Sequence, residues 1–471
     1  MAAPSAVLAA LERGFERTLA ELIGLARIPS VSAAGFDPTH VVHSAEYVAE
    51  LFLAAGLERV EVVRVPDAHP YVLGERHAAR RDAPTVLLYA HHDVQPPGRE
   101  ECWETPAFDP TLRGDGRLYG RGVVDDKAGV MLHLAALRAW LEATGSLPVH
   151  VKFVVEGEEE IGSAHLSSFL AAHRERLRAD VIVLSDTANL ATGLPSLTTS
   201  LRGLVSIDVT VRALDHPLHS GMWGGPVVDA ASALVRLLAR MFDDAGCVAV
   251  PGLDDDVPEL STAERDRIAA LPYDEASFRQ EGGLLPSLRL AGDPERSPYE
   301  RLWTRPAVAV TALEGMPLAT AGNQLLAEAR ARVGVRLAPG QNAGRVRELL
   351  TAFLQRDPPW GARVETRCDT AVPGWRTEGI GPAFDAARRA LRLGFEREPA
   401  LIGCGGSIPF VGPFAEVLRG APALLLGLED PPCNAHGENE SLDLEDFRKA
   451  GRAAAHLLAE LSEAVSKAPK P

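Results

Sequence analysis

The feature that most constrains this fold is a set of acidic and histidine residues, each placed soon after a short apolar segment or a glycine-rich turn. The set consists of His91, Asp125, Glu159, Glu160, Asp186 and His436. Residues 85–90, for example, form an apolar run directly before His91, as expected of a buried β-strand. Because ligands bind outside the carboxyl ends of strands in open α/β sheets, this order predicts a binding site at one edge of such a sheet.

The hydrophobic periodicity changes twice along the 471 residues, and it divides the chain into three parts. Residues 1–203 alternate helical periodicity with short β-branched runs, which indicates a sheet with helices on its faces. Residues 204–376 contain half-polar alternating strands followed by helices, as in an antiparallel sheet covered on one side. The α/β pattern resumes in residues 377–471. We therefore predict two domains: an α/β catalytic domain with a mostly parallel sheet, interrupted by an inserted α+β domain.

Composition narrows the possible partners. The formal net charge is −16, with both signs mixed along the chain, which argues against sequence-independent binding to nucleic acid. The N-terminal segment lacks the uninterrupted apolar region of a signal peptide, and no apolar run reaches about eighteen residues. Five widely spaced cysteines suit free thiols in a reducing compartment. We expect a cytoplasmic protein that has no membrane or nucleic-acid partner.

The residue types in the set are those of a metal site. Imidazole and carboxylate groups suit divalent zinc, manganese or cobalt, and two metals about 3.5–4 Å apart need a shared oxygen ligand. Asp125 is the candidate for that shared ligand, because it follows a tight glycine-rich turn and precedes a predicted helix. Asp93 lies two residues after His91 and is the candidate to accept the second N–H of a ligand imidazole.

Each residue also has an ordinary interpretation when it is taken alone. Asp125 fits a helix N-cap, Asp186 fits a turn, and His436 fits an exposed loop. The agreement of five separate segments favours the metal site over these individual interpretations.

Six segments resemble the M20 metallopeptidase family, and in particular its branch of cytosolic nonspecific dipeptidases and carnosinase-like enzymes. They are Ala-His-His-Asp-Val-Gln-Pro at 90–96, Leu-Tyr-Gly-Arg-Gly-Val-Val-Asp-Asp-Lys at 118–127, Glu-Gly-Glu-Glu-Glu-Ile-Gly-Ser at 156–163, Leu-His-Ser-Gly at 218–221, Gly-Gly-Ser-Ile-Pro at 405–409, and Ala-His with Asn-Glu at 435–436 and 439–440. The resemblance covers nearly the whole chain.

The resemblance implies two divalent metal ions in each subunit. One would be held by His91 and Asp186 and the other by Glu160 and His436, while Asp125 would bridge the two. Zinc is the expected metal, with manganese and cobalt as alternatives, because the ligand types do not separate the three.

The resemblance also implies catalytic roles for three residues. Glu159 would be the general base that takes a proton from a water molecule bridging the metals. Asp93 would support the ligand histidine, and His219 would reach across a homodimer to stabilise the developing oxyanion.

In this family the inserted domain is a lid and dimerisation domain, so we expect a homodimer formed through it. Arg336 matches an arginine that binds a substrate carboxylate, for which a bidentate guanidinium has suitable geometry. Weaker candidates for substrate contact are Asn323, Gly406 and Ser407.

The function predicted from the sequence is metal-dependent hydrolysis of the peptide bond of dipeptides. One alternative keeps the metals but changes the substrate, to an N-succinyl or N-acetyl amino acid or to the C-terminal residue of a peptide. Another alternative is a metal-binding protein without turnover. Glu159 and His219 argue against it, because a binding protein needs neither a base nor an oxyanion donor.

Overall fold

The fold is described here from a computed structural model, which describes residues 2–406, 414 and 420–465. These residues form two compact units. The first contains residues 2–199, 378–402 and the described residues from 414 onward. The second contains residues 200–377 and 403–406. The domain boundaries predicted from the sequence, 1–203, 204–376 and 377–471, stay a prediction.

The first unit contains the larger set of helices and strands. Its strands are Glu58–Val63, Tyr71–Arg76, Thr85–His91, Thr111–Leu112, Arg117–Tyr119, His150–Glu156, Val181–Ala188, Ala423–Glu429 and Ser441–Asp443, together with most of Ser196–Leu201 and Ala400–Cys404, whose last two residues fall in the second unit. Its α-helices are Ser5–Arg13, Phe15–Ala26, Thr39–Ala54, Lys127–Thr144, Leu166–Ala172, Arg174–Leu177, Pro382–Phe395 and Leu444–Ala464.

The main sheet has a parallel centre and antiparallel flanks. Seven of its nine strands, in order, are Glu58–Val63, Tyr71–Arg76, His150–Glu156, Thr85–His91, Val181–Ala188, Ala423–Glu429 and Ser196–Leu201, and the short strands Trp375–Arg376 and Ala400–Cys404 both pair with Ser196–Leu201. The four strands from His150–Glu156 to Ala423–Glu429 run parallel. They are buried along most of their length, as expected of parallel strands with both faces covered.

Two helices of the first unit approach each other closely because small residues lie between them. A β-carbon added at Gly394, in helix Pro382–Phe395, would stand 2.5 Å from the backbone nitrogen of Ala453 in helix Leu444–Ala464. Helix Lys127–Thr144 lies almost wholly inside the core and ends at Gly145, whose φ of 72° suits glycine. The helix begins two residues after Asp125, and this start matters for the site.

The second unit is built around an antiparallel sheet. Its strand order is Ala307–Glu314, Glu328–Leu337, Gly203–Arg212 and Arg363–Val372, and all three pairings are antiparallel. Strands Gly203–Arg212 and Glu328–Leu337 alternate buried and more exposed residues, because helices Ala230–Ala239 and Ala343–Gln355 cover one face. The predicted α/β fold with a second, antiparallel α+β part is confirmed.

The remaining elements of the second unit are short. Its other strands are Leu218–His219, Gln324–Leu325 and Trp375–Arg376, and its other α-helices are Ser220–Trp223, Thr262–Ala269, Glu275–Glu281 and Pro298–Thr304. Three of these helices lie in the segment 245–304, which is rich in acidic residues, proline and glycine. Within the described part of the chain, none of the helices combines the length and the apolar character needed to span a membrane.

Candidate metal centre

The four parallel strands of the first unit bring chemically active side chains to one edge of the sheet. His91 is the last residue of strand Thr85–His91, and Asp186 lies near the end of strand Val181–Ala188. Glu160 follows strand His150–Glu156, and His436 lies seven residues beyond Glu429, the last residue of its strand. Because parallel strands end at the same edge, these residues meet although they are far apart in the chain.

The ligand atoms form two groups that share one carboxylate. His91, Asp125 and Asp186 form the first group, and Asp125, Glu160 and His436 form the second. Within each group the ligand atoms all lie within 4.8 Å of one another. The structure therefore brings together all five residues that the sequence suggests as metal ligands.

The two oxygens of Asp125 point to different groups. Oδ1 lies 3.0 Å from Nε2 of His91, and Oδ2 lies 2.8 Å from Nε2 of His436. On the outer sides, Asp186 Oδ1 lies 3.9 Å from His91 Nε2, and Glu160 Oε2 lies 3.2 Å from His436 Nε2. This is the arrangement of a carboxylate that can serve two cations at once.

Asp93 lies behind His91 and also fixes the loop that carries the glutamates. Nδ1 of His91 lies 3.0 Å from the backbone oxygen of Asp93 and 3.5 Å from its carboxylate Oδ1. The same carboxylate accepts hydrogen bonds from the backbone N–H groups of Glu159 and Glu160 and from the Ser32 hydroxyl. Asp93 is fully buried, and its backbone oxygen and carboxylate together contact the imidazole of His91 and the loop of Glu159 and Glu160.

Comparison with known proteins identifies the family. The model of peptidase family M20/M25/M40 matches residues 87–460. The chain belongs to this family. A cysteinylglycine-S-conjugate dipeptidase of Corynebacterium striatum is 33% identical over 417 residues, which cover 88% of this chain and 89% of the relative. The human β-Ala-His dipeptidase is 28% identical over 389 residues, which cover 80% and 75% of the two chains.

Two solved peptidase structures share the fold. The structure of the dipeptidase Dug1p from Saccharomyces cerevisiae has a TM-score of 0.85 at 24% identity, and the match covers 98% of each chain. The M20 metallo-carboxypeptidase Sso-CP2 from Sulfolobus solfataricus has a TM-score of 0.82 at 27% identity, and the match covers 94% of this chain and 99% of the other. The family predicted from the sequence is thus confirmed.

In this M20 peptidase the carboxyl groups of the site are crowded in a buried place. Burial raises the pKa of Glu159 to about 8, and the negative charges of Glu160 and Asp125 add to the rise. Burial and the charge of Asp126 raise the pKa of Asp186 well above its ordinary value. The site therefore holds more acidic groups than its own histidines can neutralise.

The neighbouring carboxylates raise the pKa values of the two histidines of the site. Hydrogen bonds to Asp125 and Glu160 raise the pKa of His436 to about 11. Burial acts against the charged form of His91, but hydrogen bonds to Asp125 and Asp93 still raise the pKa of this histidine well above its ordinary value. Buried charges of one sign are normally paired or bound to metals, and carboxylate and imidazole together suit divalent cations. The residues present therefore fit the divalent metals that the M20 family implies.

Glu159 differs from its neighbours on the same loop. Its carboxyl group is close enough to His91 and Asp125 for their charges to shift its pKa, but it belongs to neither ligand group. Glu160 is held by Gln95, whose backbone and side-chain N–H groups both donate to the carboxylate. Glu158 lies elsewhere and accepts a hydrogen bond from the Tyr71 hydroxyl.

Sequence reasoning missed an ion pair that holds Asp125 in position. Glu440, fully buried, accepts hydrogen bonds from Arg121 Nη1 at 2.6 Å and from the backbone N–H groups of Gly122, Val124 and Asp125 at 3.0, 3.1 and 3.3 Å. Arg121, in turn, donates from Nη2 to the backbone oxygens of Pro96, His436 and Gly437. Arg121 and Glu440 lie in the motif segments 118–127 and 439–440, and their place in these motifs is the sequence feature that could have indicated a role at the site.

Four of the other predicted site residues lie in the second unit. His219 is exposed, and its Nδ1 accepts a hydrogen bond from the backbone N–H of Gly221. Asn323 accepts, through its backbone oxygen, a hydrogen bond from the N–H of Ser220. Arg336 lies in strand Glu328–Leu337, and the Gly406 N–H contacts the sulfur of Cys404 at 3.3 Å. Ser407 falls outside the described residues.

Proposed function

We propose that this M20 peptidase hydrolyses the peptide bond of dipeptides with the help of two divalent metal ions. The observation that supports this most directly is the pair of ligand groups sharing Asp125, with Glu159 beside them and outside both. The curated relatives named above, which are dipeptidases, support the choice of substrate class.

In the proposal, His91, Asp186 and Asp125 hold one ion, and Asp125, Glu160 and His436 hold the other. Zinc is our expected metal, with manganese and cobalt as alternatives. Bound ions of this kind activate water and polarise a carbonyl group. Proton transfer and substrate binding are assigned to side chains of the protein.

Glu159 is the proposed general base. Its carboxylate takes a proton from the attacking water and delivers it to the nitrogen of the leaving amine. A pKa raised toward neutrality by burial suits this exchange, because such a group can both accept and release a proton near pH 7. Asp93 keeps the loop of Glu159 in place through the Glu159 N–H.

The second unit has the proposed role of a lid and dimerisation domain. His219 is the proposed donor to the oxyanion, acting in a homodimer, and Arg336 is the proposed partner of the substrate carboxylate. Asn323, Gly406 and Ser407 are proposed further contacts to the substrate. We also propose that the protein acts in the cytoplasm.

The experiment that tests this function compares Glu159→Gln with the wild type and with Glu101→Gln, which changes an exposed carboxylate. Hydrolysis is measured on dipeptides, including Cys-Gly and β-Ala-His, and bound metal is measured by mass spectrometry. Loss of the base should lower kcat by roughly 10²–10⁴-fold with metal content unchanged. A chelator should abolish turnover, and added zinc, manganese or cobalt should restore it. Wild-type rates in Glu159→Gln would refute the assignment.

A second candidate is release of the C-terminal residue of longer peptides, because a metallo-carboxypeptidase of the same family shares the fold over most of both chains. Deacylation of N-acetyl or N-succinyl amino acids is a further alternative. Tripeptides and N-acyl amino acids in the same panel separate these activities. Faster turnover of either class than of dipeptides would overturn the dipeptidase proposal.

A further inference from the structure

The second unit contains a cavity of about 530 Å³ that no part of the proposed chemistry uses. It lies between the segment 246–308 and residue 202. Its charged lining consists of Arg202, Arg296, Arg301, Arg305, Asp254 and Asp293. Arginines thus outnumber acids around a cavity large enough for a small organic molecule.

Arg202 is the most unusual of these residues because it is buried without an acidic partner. It is 8% exposed, and its Nε donates to the backbone oxygen of Gly405 at 3.0 Å. Among the described residues, no carboxylate forms an ion pair with it. Burial and the positive charge of Arg336 lower the pKa of Arg202 to about 10. A buried guanidinium in this condition would be stabilised by an anion placed beside it.

Two further arginines of the wall are also short of acidic partners. Arg301 donates from Nη1 to the backbone oxygen of Ala291, while its buried Nε has no hydrogen-bond partner among the described residues. Arg305 forms no ion pair within the described part of the chain. Arg296 differs, because Asp293 and Glu300 both pair with it.

The rest of the wall is largely apolar. Phe278, Leu290 and Leu302 line the same cavity, together with several small apolar residues and prolines. Small-molecule sites are typically apolar cavities with a few convergent polar groups that orient the ligand. The chemistry that fits here is a negatively charged group carried on an apolar body.

We propose that this cavity binds a small organic anion, either a carboxylate or a phosphate monoester with an apolar body, through Arg202, Arg301 and Arg305. Asp254 also lines the cavity and does not pair with Arg296, so its negative charge should disfavour ligands that carry several negative charges. Arg336, the proposed partner of the substrate carboxylate, does not line the cavity, but it lies close enough to Arg202 for its positive charge to lower the pKa of Arg202. The proposal stands independently of the dipeptidase function.

The test is calorimetric titration of the full-length, metal-loaded protein with 1-naphthyl phosphate and 1-naphthoate. Neutral 1-naphthol serves as the uncharged probe. The variants are Arg202→Gln and Arg305→Gln, which remove charge from the wall, and Leu290→Trp, which fills the cavity without changing charge. Arg289→Gln is the matched control, since Arg289 is exposed and does not line the cavity.

We expect one of the two anionic probes to bind, with naphthol binding more weakly. Each arginine variant should weaken Kd about tenfold, as loss of a charge-assisted hydrogen bond does, and Leu290→Trp should weaken it at least as much. Arg289→Gln should leave Kd unchanged, and Arg305→Gln should keep the wild-type rate of dipeptide hydrolysis. The comparison of phosphate with carboxylate identifies the preferred anion.

Two results would overturn the proposal. One is absence of binding of both anionic probes at millimolar concentration. The other is binding with the same Kd in wild type, Arg305→Gln and Leu290→Trp, which would locate the anion elsewhere, for instance at the metal centre. If Arg202→Gln fails to fold, the other two variants still decide the outcome.

Discussion

Replacing Glu440 with glutamine should destabilise the first unit and weaken metal binding, although Glu440 belongs to neither ligand group. Its carboxylate accepts four hydrogen bonds in a fully buried place, one from Arg121 and three from backbone N–H groups of residues 122–125. Glutamine is nearly isosteric, but it carries no charge, and one of its two polar atoms is a donor. That donor must face N–H groups that also donate.

The magnitude follows from these contacts. Removing one partner of a buried ion pair costs roughly 3–5 kcal/mol, because the other charge is left uncompensated. A buried N–H without an acceptor costs about 1–3 kcal/mol, although the two contributions overlap. We expect the free energy of unfolding to fall by about 4 kcal/mol. Replacing a residue that orients metal ligands typically lowers metal affinity about 10–100-fold, and we expect Glu440→Gln to lower it within about that range.

The stability assay is hydrogen exchange of the amides in helix Lys127–Thr144, which lies in the core of the first unit. Metal affinity is measured by competition with a chromophoric chelator. The matched control is Glu438→Gln, two residues away, where the ion pair with Arg99 is solvent-exposed and its loss should change stability and metal affinity much less. The double variant Arg121→Met with Glu440→Leu should remain destabilised, because the backbone N–H groups still lack an acceptor.

Equal effects of Glu440→Gln and Glu438→Gln in both measurements would contradict a role of Glu440 in positioning the metal ligands. Recovery of wild-type stability in the double variant would show that the ion pair alone matters, and that the contacts to the backbone do not.

Two further predictions concern the core of the first unit. Burial lowers the pKa of His133 to about 4 from an ordinary value of about 6.5, because the folded protein holds the imidazole in its neutral form. The stability that depends on neutral His133 is therefore fully present above pH 6.5 and is lost as the pH falls toward 4. In urea unfolding, the free energy of unfolding of the wild type should fall between pH 7 and pH 4, and His133→Leu should make this fall smaller by up to about 3 kcal/mol. His43→Gln, at an exposed position, should leave the fall unchanged. Gly394→Ala should lower stability by about 1–3 kcal/mol because its β-carbon would stand 2.5 Å from Ala453 N. Gly114→Ala, where an added β-carbon has nothing within 4 Å, should be neutral, and thermal unfolding compares both glycine variants with the wild type.

The parts of the fold that follow from local periodicity could be predicted from the sequence. The alternating segment 328–337 forms strand Glu328–Leu337, because one face of the antiparallel sheet is covered and the other is not. The continuous apolar run before His91 forms a strand buried on both faces. Residues 5–26 have apolar residues at helical spacing, which predicts a single helix, but they form two helices, Ser5–Arg13 and Phe15–Ala26, which are separated at Gly14. Periodicity alone does not locate such a break, since the apolar face continues through it.

The same distinction applies to the candidate metal centre. The residues that end strands could be predicted, because strand order alone brings His91 and Asp186 to one edge of the sheet. The supporting contacts could not, because they join segments with no common periodicity. Ser32 reaches Asp93 across 61 residues, and Arg121 reaches Glu440 across 319.

These long-range contacts explain why Asp125 can face two ligand groups. Asp125 is not in a strand, so the sheet does not fix the direction of its carboxylate. That direction depends on the turn before it, where Gly122 has φ of 77° and a β-carbon would stand 2.4 Å from Val94. It depends equally on Glu440, which accepts the N–H groups of the turn and so ties Asp125 to the segment that carries His436. The shared ligand is therefore positioned jointly by two distant parts of the chain, and a change in either part should disturb both ligand groups together.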